Sequence, residues 1–115
     1  MTSERTPQEI FSHHGSALGA EDVEDIVSDY ANDAILIVQG ATYRGQQGAR
    51  QVFTQLLRDL PQASWELETV FADDVLYLEW KAQSATARVN DGTDTFVFQD
   101  GKIRVQTVRY TVSPR

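Results

Sequence analysis

The segment GTDTFVFQDGKI places a carboxylate on what reads as the apolar face of a strand. Phe96 and Phe98 alternate with polar residues, and the same period of two puts Asp94 on their side. A carboxylate cannot stay ionised and unpaired there, because desolvation raises its pKa until it is neutralised or paired. Three outcomes are open: Asp94 is a neutral acid that donates a hydrogen bond, it forms an ion pair with His14 or Arg109, or it is exposed.

Two histidines and an arginine are the other ionisable candidates. His13 and His14 are consecutive, so on a helix they point about 100° apart and cannot both bind one metal ion. Helical spacing favours the interior for His14 and the rim or solvent for His13. Paired with Asp94, His14 would be a general base that titrates near neutral pH, unless the pair is purely structural. Arg109 is expected on the face of Ile103, either as an anion clamp for a substrate carboxylate or as a counter-charge for Asp94 or a nearby glutamate.

Composition and charge exclude several classes of protein. The 115 residues include no cysteine, which rules out disulfides, thiolate metal sites and a cysteine nucleophile. The formal charge of −7 disfavours nucleic acid and anionic membranes as partners, because both require a basic surface. No apolar run approaches a membrane span, and MTSERTPQEI contains no signal-peptide core, so a cytoplasmic protein is expected. Neither a metal nor another cofactor is predicted.

The elements that must position these residues begin with three helices. The first opens with a capping box in TPQE and ends at Gly19. The second starts at about Asp22 with Asp29 outward, and is followed by a turn at ANDA and a short buried strand at 35–38. The third helix follows GATYRGQQG and ends before Pro61. Its apolar stripe consists of Val52, Phe53, Leu56, Leu57 and Leu60.

The remainder of the chain reads as strands, with NDG and QDG as hairpin turns. The predicted strands cover 65–71, 75–89, 93–99 and 102–112. Helices followed by a meander of strands predict an α+β fold, with the helices packed on one face of a curved antiparallel sheet. The length predicts a single domain over 1–115, with its core at about 8–112 and flexible termini.

Three segments follow one another in the order DYANDAILIV, YRGQQGARQVFTQLL and TFVFQDGKIRVQTVRY. In this order they resemble the SnoaL-like branch of the nuclear transport factor 2-like superfamily, and the resemblance extends from about Gln8 to Val112. Ketosteroid isomerase and limonene epoxide hydrolase share its cone-shaped, cystatin-like fold, which implies a conical pocket between the helices and the concave sheet. When ALGAED is matched to the corresponding segment of ketosteroid isomerase, His14 falls where that family has an oxyanion-hole tyrosine. Asp94 then falls where the family has a protonated aspartic acid. The general base of that family falls on Val38, which cannot accept a proton.

The implied pocket supplies the remaining candidates. Tyr43, Trp80 and Phe96 would present aromatic walls to a flat apolar ligand, with Val38 and Phe53 as further ligand-binding residues. Alternatively, the aromatic residues simply fill the core of a small domain. The resemblance also implies a homodimer formed through the sheet.

Two classes of function remain open. The first is a cofactor-free isomerase, cyclase or hydrolase acting on a compact apolar or aromatic carbonyl compound. Its catalytic residues would be His14 as base or hydrogen-bond donor and Asp94 as orienter or neutral donor, with Arg109 and Tyr43 assisting. The second is a non-catalytic ligand-binding or dimerisation domain of the same fold. A small molecule and a second copy of the chain are the expected partners.

Overall fold

Three helices pack against a seven-stranded sheet in the computed structural model, which describes residues 4–115. The helices are α1 (Pro7–Gly19), α2 (Val23–Val27) and α3 (Gly45–Asp59). The strands are β1 (Tyr30–Val38), β2 (Ala41–Arg44), β3 (Ser64–Ala72), β4 (Val75–Gln83), β5 (Ala87–Gln99), β6 (Lys102–Arg109) and β7 (Ser113–Pro114). Residues 1–3, part of the termini expected to be flexible, lie outside the described residues. No helix in the described range is long and apolar enough to cross a bilayer.

The sheet has the strand order β2-β1-β6-β5-β4-β3, and β7 pairs with β5 outside this path. Its neighbouring strands are antiparallel except β1 and β6, which form a parallel pair in the described part of the chain. The predicted α+β fold, with helices packed on a curved antiparallel sheet, is confirmed.

The first helix begins with the capping box that its sequence predicts. The Thr6 side chain accepts a hydrogen bond from the Glu9 backbone N–H at 3.1 Å, and the Glu9 carboxylate accepts one from the Thr6 N–H at 2.8 Å. The inward face buries Ile10, His14 and Ala17 against the sheet. The cap therefore fixes the start of the helix that delivers His14 to the interior.

The first strand is longer than its sequence suggests. The ANDA segment, expected to be a turn, belongs to β1, which runs from Tyr30 to Val38. Its pairing with β6 is irregular between Tyr30 and Ile35, where part of the strand is exposed. The polar residues read as a turn are thus accommodated by a local irregularity of the strand.

The turn between β4 and β5 lies earlier than predicted. It is made by residues 84–86, where Ser84 and Ala87 exchange hydrogen bonds, and the expected turn at NDG is instead part of β5. Gly92 lies opposite Trp80 in the ladder, and a Cβ added there would stand 2.2 Å from the indole ring. This glycine permits the close approach of an aromatic ring rather than a turn.

An irregularity in the β5–β6 ladder reverses the expected inward and outward faces of β6. The register shifts between Val97 and Phe98, so Ile103 is buried but the next inward side chain is Gln106. Arg109, expected on the face of Ile103, is therefore exposed on the outer face of the sheet. A one-residue shift has this effect because side chains alternate between faces with a period of two.

Candidate functional site

A cavity lies between α1, α3 and the inner face of the sheet. Its volume is about 40 Å³, below the roughly 300–1,000 Å³ of typical small-molecule sites, so a ligand larger than a few water molecules requires the lining side chains to move apart. Among its described lining residues are no lysine and no arginine. Its aromatic lining consists of Phe11, Phe53, Trp65, Trp80, Phe96 and Tyr110. Apart from Trp80 and Tyr110, the polar groups of the lining are the carboxyl group of Asp94, the amide of Gln106 and the imidazole of His14.

Asp94 is buried in β5, with its carboxylate held by two neutral donors. Trp80 Nε1–H donates to Oδ1 at 2.9 Å, and Gln106 Nε2–H donates to Oδ2 at 2.9 Å. Burial raises the pKa of Asp94 to about 6, while the hydrogen bonds from Trp80 and Gln106 act in the opposite direction. Both the ionised and the protonated form are therefore accessible close to neutral pH.

A third hydrogen bond extends this group away from the cavity. The Tyr30 hydroxyl donates to Gln106 Oε1, so a buried chain runs from Tyr30 through Gln106 to Asp94. Burial raises the pKa of Tyr30 well above its ordinary value, with the charges of Asp94 and Asp29 adding to the effect. Tyr30 therefore stays a neutral phenol that can donate to the amide oxygen.

His14 reaches the same cavity from α1 but is held by aromatic rings rather than by polar partners. Its ring packs edge-on against Phe53 at 5.3 Å and Phe96 at 5.6 Å between centroids. Its Nδ1 atom is buried and has no hydrogen-bond partner among the described residues. Burial lowers the pKa of His14 to about 4, an effect that the charge of Asp29 only partly offsets.

An ion pair between His14 and Asp94, one of the outcomes that the sequence leaves open, does not form, although both side chains line the cavity. The carboxylate oxygens of Asp94 are bound by Trp80 and Gln106 instead. Without a carboxylate beside it, a buried imidazole remains neutral near pH 7, because desolvation disfavours its charged form. The geometry therefore does not support His14 as a general base that titrates near neutral pH.

The five expected ligand-binding residues divide into two groups. Trp80, Phe96 and Phe53 line the cavity. Tyr43 and Val38 do not, because they lie in the β1–β2 hairpin at one edge of the sheet. Of these side chains, the indole of Trp80 is the one that donates a hydrogen bond to Asp94.

Arg109 neither faces the cavity nor forms an ion pair with Asp94. It lies opposite Thr93 on the outer surface of the sheet, whereas Asp94 pairs with Val108 in the adjacent position. Successive residues of a strand point to opposite faces, so Arg109 and Asp94 are separated by the sheet.

Residues outside the cavity form a second polar cluster that sequence reasoning did not find. Asp29, expected to point outward, is fully buried and accepts from Arg5 Nη1 and His13 Nδ1, each at 2.7 Å. His13 also contacts Asp25 at 3.0 Å through Nε2, and its pKa is raised chiefly by the hydrogen bond to Asp29. The partly exposed position of His13 agrees with the rim placement that its spacing indicates.

Sequence reasoning also missed Gln106 and the role of Tyr30. Simple alternation from Ile103 points Gln106 away from the core, and nothing in KIRVQTVRY marks the register shift that reverses it. Tyr30 faces inward, and its hydrogen bond to Gln106 depends on the same shift. The described residues contain no group of three or more His, Cys, Asp or Glu side chains arranged to hold a metal ion.

The chain belongs to the SnoaL-like domain family, which matches residues 12–106. The resemblance to the SnoaL-like family is thereby confirmed. No curated protein matches this sequence.

Solved structures share the fold at low sequence identity. The epoxide hydrolase/cyclase-like enzyme SalBIII, with a role in pyran ring formation in the polyether salinomycin, is 17% identical over 95% of each chain, with a TM-score of 0.78. An NTF2-like protein of unknown function from Cytophaga hutchinsonii is 9% identical over 96% of this chain and 95% of that chain, with a TM-score of 0.76. A de novo designed protein with a curved β-sheet is 14% identical over 96% of this chain and 88% of that chain, with a TM-score of 0.79. At these identities the likeness shows the fold alone.

Proposed function

We propose that this protein is a cofactor-free enzyme that binds a compact, uncharged apolar or aromatic carbonyl compound and uses Asp94 to move a proton on it. The observation that carries the proposal is a buried carboxyl group, with a pKa of about 6, at the wall of an aromatic-lined cavity. A carboxyl group of this kind can accept and return a proton at neutral pH without a large energetic penalty.

The chemistry of the lining supports an uncharged ligand. An anionic ligand would meet Asp94 with no lysine or arginine among the described lining residues to offset its charge. Apolar and aromatic walls favour a ligand that is itself largely apolar, because burial of both surfaces removes them from water. Trp80, Phe96 and Phe53 are the proposed ligand-contacting residues.

In this proposal Asp94 and His14, considered as a pair from the sequence, take separate roles. The Asp94 carboxylate removes a proton from the carbon next to the carbonyl, so that a C–H bond breaks and an O–H bond forms, and the protonated Asp94 later returns a proton to carbon. Neutral His14 donates a hydrogen bond from its ring N–H to the carbonyl oxygen, which carries negative charge in the enolate. Asp94 on β5 would thus take the role of the base that ketosteroid isomerase has at the position of Val38.

The likeness to SalBIII concerns the fold and identifies neither the reaction nor the substrate, because one fold carries many chemistries. The second candidate, non-catalytic ligand binding, uses the same cavity and differs only in the absence of turnover. Arg109, Tyr43 and Val38 have no place in either version, because the cavity does not reach them.

The test measures hydrogen–deuterium exchange next to the carbonyl of a panel of small aryl ketones in D₂O by NMR. Wild-type protein should accelerate exchange of at least one ketone over buffer, and Asp94→Asn should reduce that rate at least tenfold. Asp100→Asn, an exposed aspartate in the β5–β6 turn, is the matched control and should exchange like wild type. Binding without accelerated exchange would select the non-catalytic function, and equal rates for wild type and Asp94→Asn would refute the role of Asp94.

A homodimer through the sheet is part of the proposal. One cross-strand row on the outer face runs through Val70, Tyr77, Thr95, Thr107 and Ile37. Val70 is 64% exposed, and Tyr77 and Ile37 are each 42% exposed, so this outer-face row presents apolar surface to solvent. A second copy of the chain would cover it. The single-domain organisation and the cytoplasmic location stay predictions from the sequence.

A further inference from the structure

The hydrogen-bonded chain of Tyr30, Gln106 and Asp94 runs from a phenol donor to a carboxylate acceptor. Gln106 lies between Tyr30 and Asp94, and both Gln106 and Tyr30 are 1% exposed. The amide oxygen of Gln106 accepts from the Tyr30 hydroxyl, and the amide nitrogen donates to Asp94 Oδ2 at 2.9 Å. Every polar group in this buried chain is therefore satisfied in the orientation that is present.

The orientation of the amide matters because its two ends have opposite effects on a carboxylate. An NH₂ group facing Asp94 donates to it and stabilises the ionised form. Turned by 180°, the amide would present its oxygen, which repels a carboxylate and accepts a hydrogen bond only from the protonated acid. The Tyr30 hydroxyl donates to the oxygen end of Gln106. If the amide turned, this hydroxyl could accept from the NH₂ group, but its own buried O–H would lose the acceptor that it has here, and this loss disfavours the turned amide.

We propose that Tyr30 is a positioning residue: it fixes the Gln106 amide with its NH₂ towards Asp94 and thereby holds Asp94 in its ionised, proton-accepting form inside the apolar cavity. This inference rests on the proposed role of Asp94 as the base, but it concerns the free protein and can be tested without a ligand. Tyr30 itself does not line the cavity and touches no substrate.

The other ionisable groups around Asp94 do not compete as the source of a titration near neutral pH. His14 faces the cavity from α1 with a pKa of about 4, and Tyr110 faces it from the end of β6 with a pKa raised above its ordinary value by burial. Strand β4 contributes Trp80 and Leu78, and α3 contributes only apolar side chains to the lining. Asp59 at the end of α3 accepts from the Tyr110 hydroxyl at 3.2 Å and has no bond to Asp94.

The experiment is an NMR titration of the side-chain carboxyl carbon of Asp94, with ¹³C-labelled aspartate, in wild type and variants. Tyr30→Phe keeps the ring and removes the hydroxyl, so the pKa of Asp94 should rise by about 0.5 to 1 unit, the size expected for weakening one hydrogen bond to the carboxylate. Gln106→Met removes the donor itself and should raise the pKa at least as much. Tyr43→Phe, which removes a tyrosine hydroxyl outside this chain, should leave the pKa unchanged.

A second measurement needs no variant and covers the case in which Tyr30→Phe does not fold. In wild type, the side-chain NH₂ resonances of Gln106 should shift with pH along the same titration curve as the carboxyl carbon of Asp94. If they do not, or if the pKa of Asp94 is the same in folded Tyr30→Phe as in wild type, the positioning role is wrong. If wild type does not accelerate ketone exchange but the Gln106 resonances still titrate together with Asp94, the proposed function is refuted and this inference stands.

Discussion

Replacement of His14 by leucine should make the protein more stable, which is unusual for a fully buried position. The ring lies among Phe11, Phe53 and Phe96, and its Nδ1 has no partner among the described residues. A buried polar atom without a partner costs about 1 to 3 kcal/mol, and leucine fills a similar space without one. We therefore expect His14→Leu to raise the free energy of unfolding by about 1 to 2 kcal/mol at neutral pH.

The same substitution should change how stability depends on pH. The pKa of His14 is lowered from 6.5 to about 4 in the folded protein, so below about pH 6.5 the unfolded chain binds a proton that the folded chain does not. This destabilises the wild type increasingly as the pH falls towards 4. When the pH is lowered from about 7.5 to about 5, the difference in free energy of unfolding between His14→Leu and the wild type should grow by about 2 kcal/mol.

The assay is urea unfolding of both proteins at several pH values, followed by circular dichroism. His13→Asn provides a control of opposite sign, because the pKa of His13 is raised by Asp29 in the folded state. His13 therefore stabilises the wild type most at low pH and loses this effect as the pH rises through its folded pKa, so His13→Asn should be most destabilising at pH 5. Equal or lower stability of His14→Leu at both pH values would refute the account of His14 as an unpartnered neutral imidazole.

Two further predictions concern packing and assembly. Gly92→Ala should destabilise the fold by about 1 to 3 kcal/mol, because the added Cβ would lie 2.2 Å from the Trp80 ring. Gly19→Ala, with no atom within 4 Å of the added Cβ, should not destabilise it in the same urea assay, and comparable losses for both would contradict the contact. Tyr77→Lys on the outer-face row should convert a dimer to a monomer in analytical ultracentrifugation, whereas the exposed Val112→Lys should not; a wild type that stays monomeric at high concentration would rule out the dimer.

Much of the fold follows from local signals that tertiary packing reinforces. The capping box at Thr6 and Glu9, the apolar stripe of α3 and the alternation in β3 each predict an element that the structure contains. The errors occur where a polar or glycine-containing segment reads as a turn but lies within a strand, as at ANDA and NDG. In the second case, the size of the Trp80 ring across the ladder decides the role of Gly92, and a single sequence does not show that contact.

The site was predictable only where it depends on periodicity within one element. Alternation with Phe96 correctly places Asp94 in the interior, and helical spacing correctly buries His14. The partners of Asp94 were not predictable, because Gln106 faces inward only as a result of the register irregularity between β5 and β6. The same irregularity sends Arg109 outward and removes it from the site.

The central claim, that the cavity beside Asp94 is a ligand site, is tested most directly by blocking it without unfolding the protein. Gly15 lines the cavity from α1 and has no atom within 4 Å of an added Cβ, so Gly15→Leu should fit locally and occupy cavity space. Gly19→Leu, also on α1 but outside the lining, is the matched control.

The measurement is a titration of each protein with small uncharged aryl ketones, following the indole N–H resonance of Trp80, which is hydrogen-bonded to Asp94. We predict saturable shifts of this resonance in wild type and Gly19→Leu, and at least tenfold weaker binding in Gly15→Leu. Equal binding by all three proteins, or binding that leaves the Trp80 resonance unmoved, would contradict a ligand site in this cavity.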